Sequence, residues 1–127
     1  MRCCFMRADR NAEVLKHMVK YCRQIEETVL RFQKDFEVFS KDYIYQNAVA
    51  LCVLQIGELT TKLTDDFKQT YTGMPWNQIK AMRNIVAHNY GSIDAEILWE
   101  TIENDVPKLK EYCLEIINIL NKNNEDK

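Results

Sequence analysis

Arg83-Asn84-Ile85-Val86-Ala87-His88-Asn89-Tyr90 sets a permanent cation, a titratable imidazole and a phenol within eight residues. Arginine presents a planar fork of donors that matches phosphate oxygens, and histidine is the side chain whose ordinary pKa lets it trade protons near neutrality. Together they suit cleavage of a phosphodiester. A base takes the proton from a ribose 2′-OH, that oxygen attacks the adjacent phosphorus, and a cation steadies the charge on the non-bridging oxygens. His88 fits the base or acid role, and Arg83 fits the phosphate. The reaction leaves a 2′,3′-cyclic phosphate and a 5′-OH, runs without a metal or cofactor, and is confined to RNA because DNA lacks the 2′-OH.

Helical geometry limits how these groups can meet. Each residue of an α-helix turns by about 100°, so residues four apart share a face and residues five apart diverge by about 140°. Arg83, Ala87 and Tyr90 then share one stripe, while Asn84 and His88 share the neighbouring one. Asn84 is placed to hydrogen-bond the imidazole and fix which ring nitrogen is free. A second surface, such as another copy of the chain, must close over both stripes, so the site is expected at an interface. The pair by itself is a weak signal, because the helix dipole alone favours a histidine near a C-terminus.

The elements that must carry this segment are helices. Three glycines and two prolines are too few for an all-β chain, which needs a turn signal every 8 to 12 residues or so. From Asp9, a plausible N-cap, Val14, Leu15, Met18, Val19, Cys22, Ile25, Val29 and Phe32 recur at steps of three and four, the stripe of an amphipathic helix. After an irregular stretch holding Phe36 and Phe39, Ser40 or Asp42 begins a second helix through Ile44, Tyr45, Ala48, Val49, Cys52, Ile56, Leu59 and Leu63. Its broad apolar face makes it the expected centre of the fold. Residues 64–75 read as a loop ending in Tyr71-Thr72-Gly73-Met74-Pro75. Trp76 starts a third helix that carries the motif in its last turns and stops at Gly91. Asp94 caps a short segment through Ile102, and Pro107 lies near the start of a last helix ending at Leu120. The expectation is an all-α, antiparallel bundle of four main helices plus one short helix, in a single domain over residues 1–127 with flexible ends at 1–8 and 121–127.

Composition adds exclusions rather than a function. Net charge is −2, but residues 2–23 carry six Lys/Arg against two Asp/Glu, and residues 92–127 carry four against nine. Solvated helix faces give the same asymmetry, so charge does not by itself mark a nucleic-acid binder. Five cysteines without a Cys-x-x-Cys pair argue for reduced, buried thiols in a cytoplasmic protein, with Cys22 and Cys52 in apolar surroundings. No apolar run approaches the ~18 residues of a membrane span. The first residues are too short and too charged for a secretory signal, and Met6 is a candidate natural start. His17 has no partner at metal-ligand spacing, and the Glu-x-x-His pairs of a bundle metal site are absent, so no metal is expected. Trp76 and Trp99 read as packing anchors. Tyr43 and Tyr45 could stack bases, although packing suits them better. Glu58, on an otherwise apolar helix, could pair with a cation in the dimer or line the cleft, or serve as a satisfied structural carboxylate.

The segment Met74 to Tyr90, read as MPWNQIKAMRNIVAHNY, resembles the signature of HEPN-domain toxins of the HepT type. Gln46-Asn47-Ala48-Val49, Ile56-Gly57-Glu58 and Val106-Pro107-Lys108-Leu109 extend the resemblance over most of the chain. It implies a HEPN-like homodimer whose metal-independent ribonuclease site is built from the Arg and His of both subunits, here Arg83 and His88. It also implies a type VII-like toxin–antitoxin pair, with tRNA or mRNA as the RNA substrate. The implied partner is an MntA-type nucleotidyltransferase antitoxin that transfers AMP to the motif tyrosine, Tyr90. Adenylate phosphates beside Arg83 and His88 would fill the site with negative charge and block RNA. The alternative from a different class is a non-catalytic partner or substrate-binding subunit of a minimal nucleotidyltransferase, with Arg83 and Tyr90 contacting nucleotide.

Overall fold

Helix α1 runs Arg2–Phe32 in the computed structural model, which describes residues 2–87 and 94–125, with side chains over 10–84 and 94–123. It begins ahead of Asp9, which therefore lies within the helix rather than capping it. The apolar stripe faces inward as expected. Val14, Leu15, Met18, Val19, Cys22 and Ile25 are buried, and Val29 and Phe32 pack at the margin of the core.

Past α1 the chain turns through Gln33, whose φ of 115° is unusual for a residue with a Cβ. Tyr45 holds the turn, its hydroxyl donating to the Gln33 carbonyl oxygen at 2.9 Å. The Tyr45 ring stacks on Phe32 and meets Phe39 edge-on, each at 4.8 Å. Burial raises its phenol pKa above the ordinary value. Tyr45 is thus a packing residue and not a base-stacking one, whereas Tyr43 is exposed.

Two short helices occupy stretches expected to be irregular. Helix α2, Phe36–Lys41, is capped by Asp35, which accepts from the Glu37 amide. Helix α3, Tyr43–Thr60, starts at Asp42 rather than Ser40; the Asp42 carboxylate accepts from the Ile44 and Tyr45 amides. Helix α4, Asp65–Thr70, lies inside the expected loop and is capped by Thr64. Asn11 of α1 fastens that cap, donating to the Thr64 hydroxyl and accepting from the Thr64 amide at 3.1 Å each. Helix α5, Trp76–Ala87, begins where Trp76 predicts. Its expected continuation to Gly91 falls outside the described residues.

The C-terminal part is one unbroken helical run rather than two helices. Asp94 caps α6, Ala95–Glu100, through the Glu96 and Ile97 amides. A π turn over Thr101–Asp105, in which the Val106 amide reaches back to the Thr101 carbonyl, joins it directly to α7. Helix α7, Val106–Glu125, extends past the expected end at Leu120. Pro107 explains the wide turn, since its ring would crowd the Glu103 carbonyl of a regular α-helix.

Helix α3 lies between α1 and α5, and α1 also packs on α7. The Tyr45–Gln33 and Asn11–Thr64 links join opposite ends of α1 and α3, so these run antiparallel. Lys110 near the start of α7 pairs with Glu26 in the last third of α1 at 2.7 Å, so α7 is antiparallel to α1 as well. The bundle of four main helices is as expected, with α2, α4 and α6 as short accessories. No strand occurs among the described residues, and none of their helices is long and apolar enough to cross a membrane.

Candidate active site

Arg83 sits on α5 at its crossing with α3. Trp76, Ile79 and Met82 turn into the core, which leaves Arg83 half-buried at the margin and Asn84 exposed beside it. Of the two stripes expected from helical geometry, only Arg83 and Asn84 have described side chains. His88 and Tyr90 lie outside the described residues.

The crossing is set by Gly57. A Cβ at that position would stand 2.9 Å from the Arg83 Cβ and 3.0 Å from the Arg83 amide nitrogen. Such a contact is closer than ordinary packing allows, so α3 and α5 approach here because residue 57 has no side chain. Glu58 follows immediately, and its Oε1 accepts from Arg83 Nη1 at 3.1 Å. Both side chains stay reachable by solvent, Arg83 at 34% and Glu58 at 49% exposure. Glu58 therefore pairs with a cation of its own chain. Gly57 is the neighbour of Arg83 that residue chemistry alone misses; an isolated glycine inside a helical pattern was the available signal.

The opposite flank of α5 is concave. A groove of about 440 Å³ lies between α5 and α7, and a second of about 390 Å³ continues it toward α6. Both share Gln78, Met82 and Asp105, and neither is lined by Arg83. Asp105, Glu111 and Glu115 face the larger groove with a single cation, Lys108. That flank disfavours a polyanion. Tyr112 closes its end, where its hydroxyl accepts from the Gly73 amide at 2.9 Å. Trp76 is buried and donates its indole N–H to the Tyr71 carbonyl at 2.7 Å. Trp99 packs on Phe39 with ring centres 5.1 Å apart. His17 is exposed on α1.

The cysteines Cys22, Cys52 and Cys113 are buried free thiols. Burial pushes the thiols of Cys22 and Cys113 up to about 12 and raises that of Cys52. Groups so resistant to ionisation make poor nucleophiles.

A family model described as ribonuclease HepT-like matches residues 18–116. The chain belongs to the HepT-like ribonuclease family. It is 34% identical over 89% of its length to a Methanocaldococcus jannaschii protein named "Gamma-glutamylcyclotransferase and putative RNase", of which it spans 50%. It is 31% identical over 81% of its length to a "Putative RNase" of Caldanaerobacter subterraneus subsp. tengcongensis, covering 90% of that protein. A "Probable ribonuclease HepT" of Thermococcus cleftensis is 36% identical over 59% of this chain and 68% of its own length. No solved structure matches.

Proposed function

We propose that this chain is a metal-independent endoribonuclease, acting in the cytoplasm as the toxin of a toxin–antitoxin pair on tRNA or mRNA. The observation that carries the reading is Arg83, held half-exposed at the α3–α5 crossing of a HepT-like chain and followed in sequence by His88 and Tyr90.

In this reading His88 takes the proton from a ribose 2′-OH as that oxygen attacks phosphorus. The 5′-oxygen leaves with a proton from the protonated His88 of a second copy. Arg83 holds the non-bridging oxygens through the step, and Asn84 orients the imidazole. Support for a dimer comes from the open face of α3. Ile44 and Leu51 are each 57% exposed there, two large apolar side chains one heptad apart that a second copy would cover. Control comes from a nucleotidyltransferase antitoxin that adds AMP to Tyr90, whose phosphates would then compete with RNA for Arg83.

The test is cleavage of a fluorophore-labelled single-stranded RNA of mixed sequence. Arg83→Ala and His88→Ala each abolish cleavage while melting as the wild type does, and the products end in 2′,3′-cyclic phosphate. Retained cleavage in either variant rejects the assignment. Intact-mass measurement of the chain expressed with its antitoxin tests the control: an increase in AMP units located on Tyr90 supports it, and an unmodified Tyr90 in a neutralised chain refutes it.

A further inference from the structure

Glu58 takes no part in the proton transfers of the proposed reaction, yet it holds Arg83. We infer that Glu58 is a positioning residue for the Arg83 guanidinium, aiming its free edge at the phosphate and weakening its ground-state hold on RNA; this rests on the ribonuclease reading.

Three observations converge on the pair. Its side chains are 34% and 49% exposed, and ion pairs this open contribute little to folding, so stability does not account for it. The contact is end-on, Nη1 to Oε1 at 3.1 Å, so it orients the guanidinium while leaving Nη2 and Nε outside the pair. The root of Arg83 is held as well, because the Gly57 backbone lies against its Cβ and amide. The Glu58 side chain projects from the next position of α3. Root and head of the arginine are thus held from two successive positions of one helix.

The carboxylate also has an electrostatic effect. It offsets part of the attraction between Arg83 and a singly charged phosphodiester. The transition state of 2′-OH attack carries a further negative charge and draws the guanidinium more strongly. That strengthening belongs to Arg83; the Glu58 charge opposes it, so Glu58 serves turnover by aiming the guanidinium and not by its charge.

The inference predicts a split between binding and turnover. Glu58→Ala should bind a 2′-O-methyl RNA, which cannot be cleaved, more tightly by up to about fivefold, the size expected of one exposed charge. Its kcat on the labelled RNA should fall ~10- to 100-fold, the usual consequence of a misplaced catalytic group. Glu58→Gln keeps an acceptor oxygen at the same reach without the charge, so it should bind tightly with kcat near the wild-type value. Unchanged kcat in a folded Glu58→Ala, or weaker binding by it, overturns the inference and leaves the ribonuclease reading standing. A wild-type chain that cleaves no RNA overturns both.

Discussion

At the scale of the residue, the proposed site would depend on the shape of one cation as much as on its charge. Lysine at position 83 would keep the charge but not the planar fork that spans two phosphate oxygens. Arg83→Lys should therefore lose about a hundredfold in cleavage of the labelled RNA, the usual loss for a missing transition-state donor, with no change in melting temperature. Activity within a few fold of wild type would mean that Arg83 acts as a point charge. The chemical identities of Arg83, Asn84 and Glu58 were readable in sequence, because each is a polar group beside an apolar pattern. Their arrangement was only half readable. Helical period places Asn84 beside Arg83, but nothing periodic relates Arg83 to Glu58 across 25 positions. That relation depends on a tertiary crossing, and Gly57 was its one local sign.

At the scale of the element, long amphipathic stripes proved legible and short helices did not. α1, α3, α5 and α7 each bury several residues at steps of three and four, enough for the period to emerge. α2 and α4 have six residues apiece, too few turns for a stripe. Their caps were nonetheless present: Asp35 precedes α2, and Thr64 precedes the acidic first turn Asp65-Asp66 of α4. The sharpest prediction at this scale concerns the α3–α5 crossing. Gly57→Ala would press a methyl group against the Arg83 backbone, which cannot move aside as a flexible side-chain tip can. Overpacking of this kind costs about 1–3 kcal/mol, so thermal unfolding should shift down. Cleavage should fall more than stability does, because the displaced helix carries Arg83. Wild-type melting and cleavage in this variant would show that the crossing is slack.

At the scale of the molecule, three helices each contribute a thiol to one interior. Cys22 of α1, Cys52 of α3 and Cys113 of α7 belong to the same buried cluster. Iodoacetamide at pH 8 should leave all three unmodified in the native chain and alkylate them in denaturant, as read by peptide mass spectrometry. The pH sign follows from their ionisation. The native state keeps Cys22 and Cys113 protonated up to about 12, whereas unfolding returns them to 9.0. Their contribution to stability is therefore whole below pH 9 and is lost as pH rises toward 12, so denaturant midpoints should decline over that window. The proposed dimer makes a separate prediction: Leu51→Lys should convert the chain to monomer in sedimentation velocity and abolish cleavage, whereas a dimer undisturbed by it uses another face. The continuous run from α6 to α7 was the least legible feature, because Pro107 reads as a beginning when the π turn before it makes it an interior residue. That turn holds one residue more than an α-helical ladder requires. Wound as a regular α-helix with that residue retained, the turn would carry everything downstream round by about 100°. Leu109, Cys113 and Ile116 would swing out of the core and Lys110 away from Glu26. The wide turn that absorbs the surplus residue acts as a phase setting for the far half of the bundle.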